Sequence, residues 1–199
     1  MRKTPLLLLP AALLIAACQP QAPAEPEATT PPASEATDNA PPGEIPSIVS
    51  TTAVAELKPT EGSTAAGALE FAIVDGGIRV TGEVTGLAPG SEHGFHVHEN
   101  GDCSAPDATS AGGHFNPAAT DHGRVGRGTH HGGDSDNIVA NDLGVAAVDT
   151  LLQGVTLGDG EPTEIIGRGV IVHADPDDYT TQPTGNAGAR LACGVIVGQ

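Results

Sequence analysis

Along residues 51–199 apolar and polar side chains alternate with a period of two, the pattern of strands that bury one face. Leu69, Phe71 and Ile73 alternate with Glu70 and Ala72. After the turn signal Asp75-Gly76-Gly77, Ile78, Val80, Gly82 and Val84 alternate with Arg79, Thr81, Glu83 and Thr85, so the two runs predict a β-hairpin. Gly86-Leu87-Ala88-Pro89-Gly90 then turns the chain into a further extended segment around Gly94–Glu99. Other strands are predicted at Thr52–Lys58, Gly144–Leu152, Ile165–His173 and Arg190–Val197. No long stretch shows a helical period with caps. Short strands with Gly-rich connections predict an all-β domain, a sandwich or a closed barrel. One segment stands apart. Asn100 to Asn141 is rich in Gly, Asp and His and has no clear strand, and a loop of that length inside a compact domain is functional or disordered.

The pattern is absent before residue 51. Residues 1–18 read as a targeting segment: Arg2 and Lys3, the apolar run Leu6–Ala17, then Cys18. The run is too short to span a bilayer as a helix. Ile15-Ala16-Ala17-Cys18 resembles the lipobox of bacterial lipoproteins, whose cysteine is lipidated and becomes the new N-terminus; the alternative is an ordinary secretory signal. Gln19 after the cysteine, in place of aspartate, implies sorting to the outer membrane in such lipoproteins. Residues 19–50 are Pro, Ala, Glu and Thr with eight prolines and no Lys or Arg, a composition expected to stay disordered and act as a tether. The folded domain is therefore expected over 51–199, long enough to bury a sizeable core.

Charge narrows the partners. The chain carries −17 at neutral pH, and loss of Arg2 and Lys3 with the targeting segment leaves six basic against 25 acidic residues. Such a surface repels phosphates, which argues against nucleic acid. Three cysteines are odd for an exported protein; a lipid on Cys18 leaves Cys103 and Cys193 as a pair able to form a disulfide outside the cytoplasm. Closing that loop stabilises the fold by roughly 4–5 kcal/mol in the chain-entropy model.

The histidines change the picture most. His96 and His98 sit two apart in an extended segment, so their rings share a face; alone, the pair is either a metal grip or two surface residues. His114, His122, His131 and His173 follow, with Asp134 near them, which makes seven candidate ligands. Neutral imidazoles suit copper and zinc, and a carboxylate among them suits zinc. His130 adjoins His131, and only spacing to Asp134 separates the two.

The motifs Gly94-Phe95-His96-Val97-His98-Glu99, Gly112-Gly113-His114-Phe115-Asn116-Pro117, the step to His122, His131-Gly132-Gly133-Asp134 and Gly185-Asn186-Ala187-Gly188-Ala189-Arg190-Leu191-Ala192-Cys193-Gly194 resemble the copper–zinc superoxide dismutases, in order and over essentially the whole domain. The resemblance implies an eight-stranded Greek-key β-barrel or sandwich with long metal-binding and electrostatic loops. It implies one copper on His96, His98, His114 and His173 and one zinc on His114, His122, His131 and Asp134, His114 being the bridge. It implies that superoxide is converted to dioxygen and hydrogen peroxide by alternate reduction and oxidation of copper, with His114 taking up and returning a proton. Arg190 would draw in the anion, Thr184 would line the entrance, and Asp177 would link His96 to His122, with Asp175 and Asp178 as competitors for that place. His93 would be structural, and Cys103–Cys193 would be the family's disulfide. Two departures stand out. The loop from His173 to Arg190 is short and has no lysine, leaving Arg124 and Arg127 as possible substitutes for its steering charges, and Ser135-Asp136 replaces the usual Leu-Gly.

Together these readings predict a lipid-anchored periplasmic superoxide dismutase, attached at the outer membrane and guarding the envelope. The alternative is a non-catalytic copper or zinc carrier on the same scaffold, and an adhesion module leaves the ligand set without a use. A homodimer is compatible with the resemblance.

Overall fold

The computed structural model of the chain describes residues 52–199. The expected signal segment 1–18, the lipidation site Cys18 and the expected tether 19–50 lie outside the described residues. The strands are β1 Thr52–Pro59, β2 Ala66–Val74, β3 Gly77–Thr85, β4 Glu92–His93, β5 Phe95–His98, β6 Ile138–Val139, β7 Ala146–Leu152, β8 Gly169–His173, β9 Arg190–Val195 and β10 Val197–Gly198. Among the described residues the only helical element is a 3-10 turn at Thr109–Ala111.

The strands form an eight-stranded antiparallel sheet in the order β5-β8-β9-β1-β2-β3-β7, with β10 added along β1. Non-consecutive neighbours, such as β9 beside β1 and β3 beside β7, are the pattern of Greek-key connections. A small β4–β6 pair links the two edges of this curled sheet. Gly94 alone separates β4 from β5, and Ala140, just past β6, bridges to Ala146 at the start of β7.

Alternation builds the core. Ala53, Ala55 and Leu57 of β1, Leu69 and Phe71 of β2, Ile78, Val80 and Val84 of β3, and Ala146, Val148 and Leu152 of β7 all point inward and are buried. Ile73, expected on the same face, is 57% exposed although Ile78 opposite it is buried: β1 pairs with β2 only as far as Ala72, whereas Ile78 is flanked by Leu152 of β7. Two other expectations are trimmed by turns. Arg168 N–H donates to Ile165 O and Gly167 takes φ +84°, so Ile165–Arg168 is a turn and β8 starts at Gly169. The last predicted strand is broken at Ile196, which separates β9 from β10.

Two strands are buried on both faces, and they position the site. In β5, Phe95 and Val97 enter the core while His96 and His98 point out of it, yet all four are buried. In β8, Val170 and Val172 face the core, and Ile171 packs outward with Ala108, Ala111, Cys103 and Cys193. The outer faces are therefore roofed, and the roof is the long segment 100–141. Cys103 and Cys193 form the expected disulfide across 90 residues, tying that segment to β9.

Candidate metal centre

Strand register sets the first group of ligands. β5 and β8 pair Phe95 with Val172 and Val97 with Val170, so His96, His98 and His173 emerge on one side of two neighbouring strands. Between Val172 and His173 the β8–β9 register slips, a bulge that sets Arg190 opposite His173. The His114 segment then lies along β5. Phe115 N–H donates to Val97 O and Glu99 N–H to Gly113 O, while the Glu99 carboxylate accepts Gly113 N–H. Gly133 continues the stack, donating to Phe115 O and accepting from Val97 N–H, which brings Asp134 against His114.

The result is two buried clusters with one common member. His96, His98, His114 and His173 form the first and His114, His122, His131 and Asp134 the second, the donor atoms of each lying within 4.8 Å of one another. All seven residues are at most 5% exposed. The loop and strand expectations thus meet in one place.

Hydrogen bonds fix which nitrogen each ring turns inward. Carbonyls and ionised carboxylates only accept, so the ring nitrogen facing one carries the proton and the other keeps a lone pair. His98 Nδ1–H donates to Gly112 O at 2.9 Å, freeing Nε2, which lies 3.3 Å from His173 Nε2. His96 Nε2–H donates to Asp177 Oδ2 and His122 Nε2–H to Asp177 Oδ1, each at 2.9 Å. Asp177 is therefore the linking carboxylate; Asp175 is exposed, and Asp178 caps Thr180 and Thr181 instead. The remaining nitrogens, His96 Nδ1, His114 Nε2, His122 Nδ1 and His131 Nδ1, are buried without hydrogen-bond partners.

Four orphaned donor or acceptor atoms, at about 1–3 kcal/mol each, are a large cost that an electron-pair acceptor removes. The second cluster has the right size for one. Asp134 Oδ1 lies 2.8, 3.0 and 3.4 Å from Nδ1 of His114, His122 and His131. A tetrahedral ion with bonds of roughly 2.0–2.1 Å holds its ligand atoms about 3.3 Å apart. The other oxygen, Asp134 Oδ2, accepts Gly123 and His131 N–H and so fixes the carboxylate. The donor types and spacings fit zinc here and a copper ion among the four imidazoles.

Electrostatics keeps these groups ready. Burial holds His98 and His173 well below the ordinary histidine range, and burial with the neighbouring His96 brings His114 down to about 4. Burial would lower His122 too, but the Asp134 and Asp177 carboxylates reverse this and raise it to about 9. Asp134 and Asp177 resist the upward push of burial through their histidine partners and stay below the usual carboxylate range.

Arg190 is half-buried beside the first cluster, its guanidinium donating to Ala108 O and Gly112 O. The hollow before it is lined by Thr60, Glu61, Asp107, Thr109, Gly188 and Ala189. Thr184 is half-buried one residue before Gly185 and is not part of that lining. Arg124 does not act as a free charge: it pairs with Asp136 at 2.6 Å and lies over the Tyr179 ring. His93 is buried, donating from Nδ1 to His173 O, a structural place. His130 turns away, its Nδ1–H donating to His131 O, which leaves His131 in the cluster.

Two residues of the centre carried no recognisable signal. Asn137 and Gln182 are loop amides whose partners, Asp177 and His122, lie 40 and 60 residues away in sequence.

A family model described as copper/zinc superoxide dismutase matches residues 65–196. Superoxide dismutase (Cu-Zn) 2 of Aquifex aeolicus strain VF5 is 42% identical over 145 residues, covering 71% of this chain and 84% of that protein. Among solved structures, the clock protein EA4 is 42% identical with a TM-score of 0.65, covering 73% of this chain and 93% of that one. A SOD-like protein from Bacillus subtilis is 36% identical, also with a TM-score of 0.65, covering 71% of this chain and 96% of that one.

Proposed function

This chain belongs to the copper/zinc superoxide dismutase family, enzymes with one copper and one zinc per subunit, and from that premise we propose how its residues divide the work. The four-histidine cluster takes the copper and the cluster containing Asp134 takes the zinc, with His114 shared. The chemistry of the donors supports this division: four nitrogens suit Cu(II), and three nitrogens with one oxygen suit zinc, which has no redox chemistry of its own. When bound, copper supplies the one-electron steps by which two superoxide anions and two protons become dioxygen and hydrogen peroxide.

The chain's residues bind, orient and move protons around that chemistry. Arg190 receives the anion. Two of its five N–H groups are directed to carbonyls, which fixes the fork, and the other three have no hydrogen-bond partner among the described residues. His114 holds and returns a proton at Nε2, the atom left without a partner, while Nδ1 stays against Asp134. Asp177 prevents His96 and His122 from turning, as a partner behind a ligand does. Delivery of an anion to a protein of charge −17 depends on the local field of Arg190, since Glu61 and Asp107 flank the approach and Arg124 is neutralised by Asp136. The disulfide and the lipobox-like Ile15–Cys18 support a reaction site outside the cytoplasm, in the periplasm and tethered to the outer membrane, where the enzyme guards the envelope.

The observation that carries the reading is the set of four unpartnered, buried nitrogens, one on the shared His114 ring and three on the rings packed against it. The test is steady-state dismutation by the metal-loaded protein. Arg190→Glu is expected to lower kcat/KM by about 10–100-fold, within the range that local fields contribute to anion capture. Arg79→Glu, which breaks an exposed pair with Asp149, is expected to leave it unchanged. Equal effects contradict the role of Arg190, and metal binding without turnover identifies a carrier instead.

A further inference from the structure

The main chain of His122 has an accounting problem. The residue lies in a segment without regular secondary structure, so no ladder satisfies its buried peptide groups. Among the described residues both go to one side chain. His122 N–H donates to Gln182 Oε1 at 2.8 Å, and Gln182 Nε2–H donates back to His122 O at 2.9 Å. The same device recurs on the other side of the His122–Asp177 hydrogen bond. Asp177 N–H donates to Asn137 Oδ1 at 2.9 Å, and Asn137 Nδ2–H donates to Asp177 O at 3.0 Å.

These two amides cross between loops. Gln182 belongs to the loop that carries Asp177 and grips the loop that carries His122; Asn137 belongs to the latter and grips Asp177. Gly185 lets the pieces close, because a Cβ there would collide with the Asp177 carboxylate and the His122 ring.

We propose that Gln182 is a positioning residue for the zinc ligand His122: by holding both peptide groups of His122 it sets where Nδ1 points and slows release of the ion. This rests on the assignment of zinc to His122 made above. The role requires both hydrogen-bonding ends of the amide and not merely its bulk.

The experiment measures zinc transfer from the fully loaded protein to an excess of a chromophoric chelator, alongside the visible spectrum of cobalt(II) placed in the zinc position. Gln182→Ala is expected to release zinc about tenfold to thirtyfold faster, the effect of two lost hydrogen bonds of ordinary net strength. Gln182→Met, similar in length but unable to pair with His122, is expected to release it as fast and to shift the cobalt bands, with the melting temperature of the metal-free form unchanged. Wild-type release rates and spectra in both variants overturn the proposal. So does a Gln182→Met variant that behaves as wild type, or a metal-free melting temperature that falls as far as that of the loaded form. Failure of the wild-type protein itself to bind zinc would overturn the site assignment, a separate result.

Discussion

The two clusters share a ring but are built by different physics. His96 and His98 stand on β5 and His173 on β8, strands whose other faces are Phe95, Val97, Val170 and Val172 in the core. Their positions follow from ladder hydrogen bonds and hydrophobic burial, terms complete before any ion arrives. His122, His131 and Asp134 instead come from a segment held by local contacts: the Gln182 amide, the Asp177 bridge and the Gly133 backbone. One cluster is prepared by the sheet; the other has no such scaffold, so an ion bound there would contribute directly to its stability. His114 belongs to both, which makes the sheet-built half answerable to the loop-built half.

The sharpest break of that comparison is His114→Ala. Activity is expected to fall by at least about 100-fold, the upper end of what losing a partner of a ligand costs. Metal analysis of the variant is expected to find zinc lost and copper retained, since three strand-borne histidines remain. Equal loss of both metals would show that the strands do not prepare their half.

A smaller effect sharpens the same contrast. Removing zinc alone is expected to abolish hydrogen-exchange protection through residues 116–136 while β5 and β8 stay protected; removing copper alone is expected to leave both regions close to their loaded state. Amide exchange by mass spectrometry reads this directly.

The smallest effect is a pH dependence of the metal-free protein. His98, His173 and His114 have lowered values in the folded state, His114 at about 4. Their contribution is complete above the unfolded value near 6.5 and is lost as pH falls from there toward the folded values. Thermal melting of the metal-free form is therefore expected to be level above about pH 6.5 and to decline as pH falls below it. A profile flat between about pH 7 and about pH 4.5 would contradict these couplings.

What sequence made visible divides along the same line. The strands around the core were legible because a period of two survives wherever one face is apolar, as in Leu69, Phe71, Ile78 and Val80. The error at Ile73 arose because periodicity says which way a side chain points, not which strands flank it. β8 was drawn too long at its start since Ile165 and Ile166 are apolar in a turn. The clustered histidines were readable through motifs with matched spacing, and register explains the convergence of His96, His98 and His173 but not that of the loop residues His122 and His131. Asn137 and Gln182 were not readable: an amide bonding to a backbone far away in sequence requires no residue pattern of its own. The neutralisation of Arg124 by Asp136 was hidden for the same reason, since the fold of the segment between them decides it.

The central claim is that two different ions sit on either side of His114. Diffraction from crystals of the protein loaded with both metals, collected at the copper and zinc absorption edges, tests it most directly. The account predicts copper among His96, His98, His114 and His173, and zinc among His114, His122, His131 and Asp134. A single ion, exchanged positions, or His114 turned away from either metal would contradict it.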